Sequence, residues 1–173
     1  MNELKFKEGQ LLAYGTNGVC IVDEIKPVRL TSEMPENYYV LRQLRDEDSR
    51  IFVPVNNERL TSKMRQLLTS EEIHQLVLKV NDDKFEWVKD RRARIEEFKN
   101  ILAGGVSLEL VRMITCIRER IADLDKDGKK LPVTDANTLK AAERLVDEEF
   151  SYVLKMETNE LRKYLKKTIS SGS

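Results

Sequence analysis

The chain has 173 residues, 40% hydrophobic and 35% charged, with a formal net charge of zero. It is long enough for one ordinary domain or two small ones and apolar enough for packed cores, and its neutrality excludes a polycation that coats nucleic acid. Cys20 and Cys116 are far apart, each among apolar neighbours, and read as small buried hydrophobes of a reducing compartment rather than a disulfide framework. Met1–Gly9 is charged and no apolar run approaches bilayer length, so a cytoplasmic protein with no membrane association is expected.

Up to about Val55 the pattern has period two with turn punctuation. Gln10–Tyr14 and Val19–Val22 read as strands around Gly15-Thr16-Asn17-Gly18, where Asn17-Gly18 can supply the positive φ of a tight hairpin. Glu24–Leu30 reads as a further strand whose Pro27 lacks an N–H and so suits an edge or bulge. After a loop at Glu33–Asn37 come strands at Tyr38–Leu44 and Arg50–Val55. Five short strands in this space predict a small, strongly bent antiparallel sheet or barrel.

Beyond Asn56-Asn57 the period becomes 3.6. Thr69 with Glu72 forms a capping-box pattern opening a helix over Ser70–Val80. Asn81-Asp82-Asp83 then precedes a helix over Lys84–Ala103, with Val88, Ile95, Phe98 and Leu102 as its apolar stripe and Gly104-Gly105 as its end. Ser107 can cap a third helix to about Leu124, with Leu108, Val111, Ile114, Ile117 and Ile121 inward. Asp125–Gly128 is a turn that lacks the remaining ligands of a calcium loop. Thr134 is a cap for a long helix to about Met156, with Leu139, Ala142, Leu145, Val146, Phe150 and Val153 inward, and Thr158 for a last one through Leu161 and Leu165. The fold class is α+β, a β module followed by an all-α bundle.

The only tryptophan, Trp87, opens a basic stretch running to Arg94. On the expected helix, Trp87, Arg91 and Arg94 fall at i, i+4 and i+7, which places a flat apolar ring beside two guanidinium groups. Cations bind phosphates regardless of sequence, while an aromatic wedge stacks on a base or enters between base steps. The competing use of Trp87 is a core position at the base of a solvated helix. Catalysis has little support. His74 stands alone on a helix, Cys20 has no cationic neighbour, and no phosphate loop, metal-ligand cluster or nucleophile elbow occurs. No catalytic residue, cofactor or metal is expected.

Phe6-Lys7-Glu8-Gly9, the Tyr14…Gly18-Val19 hairpin, Tyr38-Tyr39-Val40-Leu41 and Phe52-Val53-Pro54-Val55 together resemble the CarD-like (CdnL) family of bacterial transcription regulators. In the second half the resemblance is carried by Trp87 with its basic turn, Ile95-Glu96-Glu97-Phe98, the Leu102…Gly105 break and the aliphatic helix from Leu108. It implies a Tudor-like RNA polymerase-interacting domain at residues 1–60, in the form of a small bent antiparallel β-barrel. A connecting segment with a helix at 61–83, a helical DNA-binding domain at 84–169 and a flexible tail at 170–173 complete the expected organisation. The implied partners are the RNA polymerase β subunit and the minor groove and phosphates of promoter DNA at the upstream edge of the transcription bubble. There the family's tryptophan helps keep the bubble open.

Carried over position by position, the resemblance makes Trp87 the wedge and places Lys89, Arg91, Arg92 and Arg94 on phosphates. Asp90 stands where relatives often carry a cation. The polymerase-binding strands map to Val28-Arg29-Leu30 and to the segment containing Arg50 and Phe52, where some relatives carry arginines at the positions of Val28 and Phe52. A monomer is expected. The alternative is a protein–protein adaptor with no direct DNA contact and Trp87 buried; exposure of the indole separates the two.

Overall fold

A computed structural model describes residues 3–30 and 34–172, which form two compact units, Met1–Leu67 and Leu68–Ser173. Part of the loop expected at Glu33–Asn37 and the last residue of the expected tail, Ser173, lie outside the described residues.

The first unit is a five-stranded antiparallel sheet, β1 (Leu11–Tyr14), β2 (Val19–Val28), β3 (Glu36–Gln43), β4 (Asp46–Pro54) and β5 (Met64–Gln66), in the order β4-β3-β2-β1-β5. A short helix, α1 (Glu58–Thr61), links β4 to β5 and is capped by Asn57, whose side chain accepts the Leu60 N–H. The sheet does not close, because β4 and β5 stand at its two ends without pairing, so the expected barrel is corrected to an open, bent sheet. Register shifts at Val22/Glu24 and Leu41/Gln43 supply the bend.

The expected strands at Val19–Val22 and Glu24–Leu30 are one strand with a bulge at Asp23, which Arg42 holds through Nε at 2.9 Å. The fifth strand is instead β5, too short and polar to announce itself. At the hairpin, Gly15–Asn17 forms a 3-10 turn, and Gly18, at φ 77° and ψ −151°, occupies a region open to glycine. Asn17 does not take positive φ, so the expected two-residue turn is not used.

Pro27 sits where its missing N–H costs nothing. Strand β1 pairs with β2 only from Val19 to Ile21, so Glu24–Val28 has a partner on the β3 side alone. The Ile25 N–H points to the open side and donates to Glu8 Oε1 at 2.8 Å, and Pro27, two residues on, faces the same way. Phe6, Leu12, Tyr14, Cys20, Val22, Tyr39, Leu41, Val53 and Met64 form the core of this unit. Tyr39 also accepts the Lys5 N–H at 3.0 Å and meets Phe6 edge-on at 6.3 Å, fastening the entering chain.

The second unit contains α2 (Ser70–Leu78), α3 (Arg91–Gly104), α4 (Ser107–Lys126), α5 (Val133–Leu154) and α6 (Thr158–Ser171). Thr69 and Glu72 make the expected capping box. Ser107, Thr134 and Thr158 do not cap, since α4, α5 and α6 begin one residue after Val106, Pro132 and Glu157, with no side-chain bond at those caps. The Ser107 hydroxyl turns inward to Glu149 Oε1 at 3.4 Å. Ser170 and Ser171, expected in a flexible tail, belong to α6, where Asn81 Nδ2 donates to Ile169 O at 2.7 Å. The shared core runs through Ile73, Val77, Phe98, Leu110, Met113, Ile117, Ala142, Val146, Phe150 and Leu161.

Candidate functional site

The second unit's candidate site begins with Asp90. Its Oδ1 accepts the Ala93 N–H at 2.8 Å, an N-cap that starts α3 at Arg91. The preceding residues Lys84–Lys89 have no regular secondary structure, so the expected helix over Lys84–Ala103 and its Trp87–Arg91–Arg94 stripe are not formed. Apolar periodicity extended the helix back past its capping residue, starting it seven residues too early. The buried face of α3 is Arg94, Phe98 and Ile101, while Ile95, expected inward, is 38% exposed.

Trp87 is half-buried and lies edge-on to Phe98 at 6.1 Å between ring centroids. Two guanidinium groups lie over its ring, that of Arg94 at 4.4 Å and that of Arg120, on α4, at 5.5 Å. The indole therefore has a packing role and an accessible part at once. Of the two guanidinium neighbours expected from sequence, Arg94 is present and Arg91 is not, its place being taken by Arg120.

Arg94, expected on phosphate, is engaged internally. Its Nε and Nη2 donate to the two oxygens of Asp135 at 3.0 and 2.9 Å, and both side chains are almost fully buried. Its Nη1 donates to the carbonyls of Val88 at 2.9 Å and Lys89 at 3.3 Å. A cation so compensated and enclosed offers nothing to solvent. Asp135, 41 residues away in sequence, decides this, and periodicity could not connect the two.

An open cleft is lined by Trp87, Lys89, Arg94, Arg120, Leu124, Lys129, Lys130 and Pro132. Lys89, Arg120, Lys129 and Lys130 form no ion pair among the described residues, and Arg120 Nε is a buried donor with no hydrogen-bond partner. Four uncompensated cations thus converge beside the indole in a chain of zero net charge. Arg91 and Arg92 are exposed on the first turn of α3, outside the cleft lining. Arg120, Lys129 and Lys130 escape sequence reasoning because α4 announces only its apolar face. The dibasic pair after the Asp125–Gly128 turn was the available signal.

In the first unit, β4 is an edge strand, and Phe52, 41% exposed, meets Tyr38 edge-on at 6.5 Å. Its register partner is Val40, and the next pair is Tyr38 with Pro54, so the face opposite the core carries an apolar patch. Arg50 is exposed and donates through Nη1 to the carbonyls of Glu47 and Ser49 at 2.8 and 2.6 Å. Val28 ends β2 opposite Glu36, while Arg29 and Leu30 lie beyond the strand, Leu30 being 61% exposed. The two expected groups therefore flank β3 from either side, with Arg29 and Leu30 outside the strand expected to hold them.

Burial, reinforced by the charge of Glu119, pushes the Cys116 thiol up to about 11, which leaves it a neutral packing group. No cluster of three or more His, Cys, Asp or Glu able to hold a metal occurs among the described residues. No helix of the described residues is long and apolar enough to cross a membrane.

Residues 6–68 match the family model described as CarD-like/TRCF RID domain. No curated protein matches the chain.

Proposed function

We propose, from the premise that its N-terminal domain makes this chain a member of the CarD-like family, that it is a transcription regulator engaging RNA polymerase through the sheet and promoter DNA through the helical unit. The domain implies an RNA polymerase-interacting transcription factor. The finer reading is that the β subunit docks on the sheet where the edge strand β4 and the open end of β2 flank β3. An edge offers unpaired backbone groups for strand addition, and Val28, Arg29, Leu30, Arg50 and Phe52 supply side-chain selectivity.

The observation that carries the DNA reading is the set of unpaired cations around Trp87. Lys89, Arg91 and Arg92, with Arg120, Lys129 and Lys130, contact phosphates, and the indole wedges into the minor groove at the upstream edge of the bubble. Arg94 supports the indole and leaves the phosphate set. Tethering to polymerase raises the local concentration of the helical unit at the promoter, so weak intrinsic affinity suffices. The bound wedge opposes bubble closure and lengthens the life of the open complex.

The Trp87–Phe98 contact favours a second reading, an adaptor in which the indole only packs. Capture of the purified β subunit, paired with open-complex lifetime for the parent chain and Trp87→Ala, separates them. Capture with no effect on lifetime leaves the adaptor. No capture removes the polymerase reading.

A further inference from the structure

Arg94 is tied on every side, and the arrangement has more order than packing requires. A buried ion pair seldom adds net stability over an apolar pair of the same volume, because both charges lose their hydration. What a planar guanidinium does provide is direction. Here one edge of the fork is fixed by both oxygens of Asp135, near the start of α5, and Nη1 is fixed by the carbonyls of Val88 and Lys89. With those contacts made, the orientation of the plane is set, and the centroid of the Trp87 ring lies 4.4 Å from Arg94 Cζ.

The segment that carries Trp87 has need of such a mount. Lys84–Lys89 belongs to no helix or strand, so no ladder of backbone bonds positions it. The Val88 and Lys89 carbonyls directly after the indole are held instead by the Arg94 side chain, itself rooted on α3. Asp135 and Arg94 therefore connect α5, α3 and the irregular segment at one point.

We propose that Arg94 and Asp135 are positioning residues for Trp87: their buried pair sets the angle at which the indole enters the basic cleft. For its effect on DNA this rests on the proposed function, in which Trp87 is the wedge. Lysine at position 94 keeps the charge but loses the fork and the flat face, so the segment loosens while the helices keep their apolar core.

The test uses the full chain and exploits Trp87 as its only tryptophan. In Arg94→Lys the indole emission shifts to longer wavelength, acrylamide quenching rises, and a cooperative melt persists. Open complexes lose stability by roughly three- to tenfold in lifetime, the scale of one cation–π contact. Asp135→Asn, which keeps an acceptor oxygen, shows the same changes in smaller degree and carries the test should Arg94→Lys fail to fold. In a Trp87→Ala background Arg94→Lys causes no further loss of lifetime. Unchanged emission and quenching in both variants overturn the proposal, as does an equal further loss of lifetime in the Trp87→Ala background. If Trp87→Ala alone leaves the lifetime unchanged, the wedge reading falls, and the emission and quenching measurements still decide whether the pair positions the indole.

Discussion

Glu149, buried on α5, accepts the backbone N–H of Leu68 through Oε2 at 3.0 Å. Its other oxygen receives the Ser107 hydroxyl, so one carboxylate joins the first residue of the helical unit, the start of α4 and the C-terminal part of α5. We predict that Glu149→Ala costs about 2–4 kcal/mol of stability, because the partly buried Leu68 N–H and the buried Ser107 hydroxyl both lose their acceptor. Glu149→Gln costs less, since its amide oxygen still accepts. Denaturant unfolding followed by Trp87 emission measures both, and a loss below about 0.5 kcal/mol for the alanine variant would refute the assignment.

Trp87→Ala is expected to have two separable effects. Loss of the half-buried ring from Phe98 lowers folding stability by about 1–3 kcal/mol, less than for a fully enclosed tryptophan. Loss of a wedge worth about 1–3 kcal/mol shortens open-complex lifetime by roughly 5- to 150-fold, with Trp87→Phe in between. A melt and a lifetime assay on the same samples apportion the two. A stability loss with unchanged lifetime assigns the indole to packing.

Removing a cation that touches phosphate lowers the log–log salt dependence of DNA association by about 0.9. We expect this separately for Lys89, Arg91, Arg92, Arg120, Lys129 and Lys130 changed to alanine, with similar decrements on unrelated promoter sequences. Arg94→Ala should differ in kind, reducing the melting temperature by leaving Asp135 buried without its cation. Equal salt slopes for the parent and all six variants would place the DNA elsewhere.

For the sheet, Arg29→Glu combined with Arg50→Glu is predicted to weaken binding to the polymerase β subunit while leaving the melting temperature nearly unchanged. Both side chains are exposed, and Arg50 holds only nearby carbonyls. Calorimetric titration of the double variant checks this; parent-like affinity would move the interface to another face.

The Cys116 thiol gives a pH signature. Burial lifts it from its ordinary 9.0 to about 11, so the native state keeps a proton that the unfolded chain releases. The contribution is therefore complete below about 9 and is lost as pH rises toward about 11. Native protein should react slowly with a thiol reagent at pH 8 and rapidly in denaturant, and Cys116→Ala should flatten the alkaline fall in stability. Fast native labelling at Cys116 would contradict the buried assignment.

Much of the fold was legible locally. Thr69 and Glu72 announce α2 through a box that closes within one turn, and the inward positions Ala142, Val146 and Phe150 follow from periodicity. Where two local signals competed, the outcome was less visible. Asp90 could have been a surface residue within a helix, but its carboxylate caps α3 and releases Trp87 from it. Strand β5, with a single buried residue, has too little pattern of its own and exists because β1 needs a partner. The site divides in the same way. The basic character around Trp87 is local and could be read, whereas the diversion of Arg94 to Asp135 and the arrival of Arg120, Lys129 and Lys130 come from tertiary packing.

The open sheet leaves β4 with one side unpaired, a state that invites indiscriminate self-association in any crowded solution. Its own composition limits the hazard. Asp46-Glu47-Asp48 places three acidic residues at one end, and Pro54 stands at the other. A visiting strand is confined to Ser49–Val53, roughly 17 Å of backbone at about 3.4 Å per residue. A segment that meets the acidic end with negatively charged residues is repelled before its hydrogen bonds can form, so the edge disfavours fibre growth while still admitting a short guest of opposite charge.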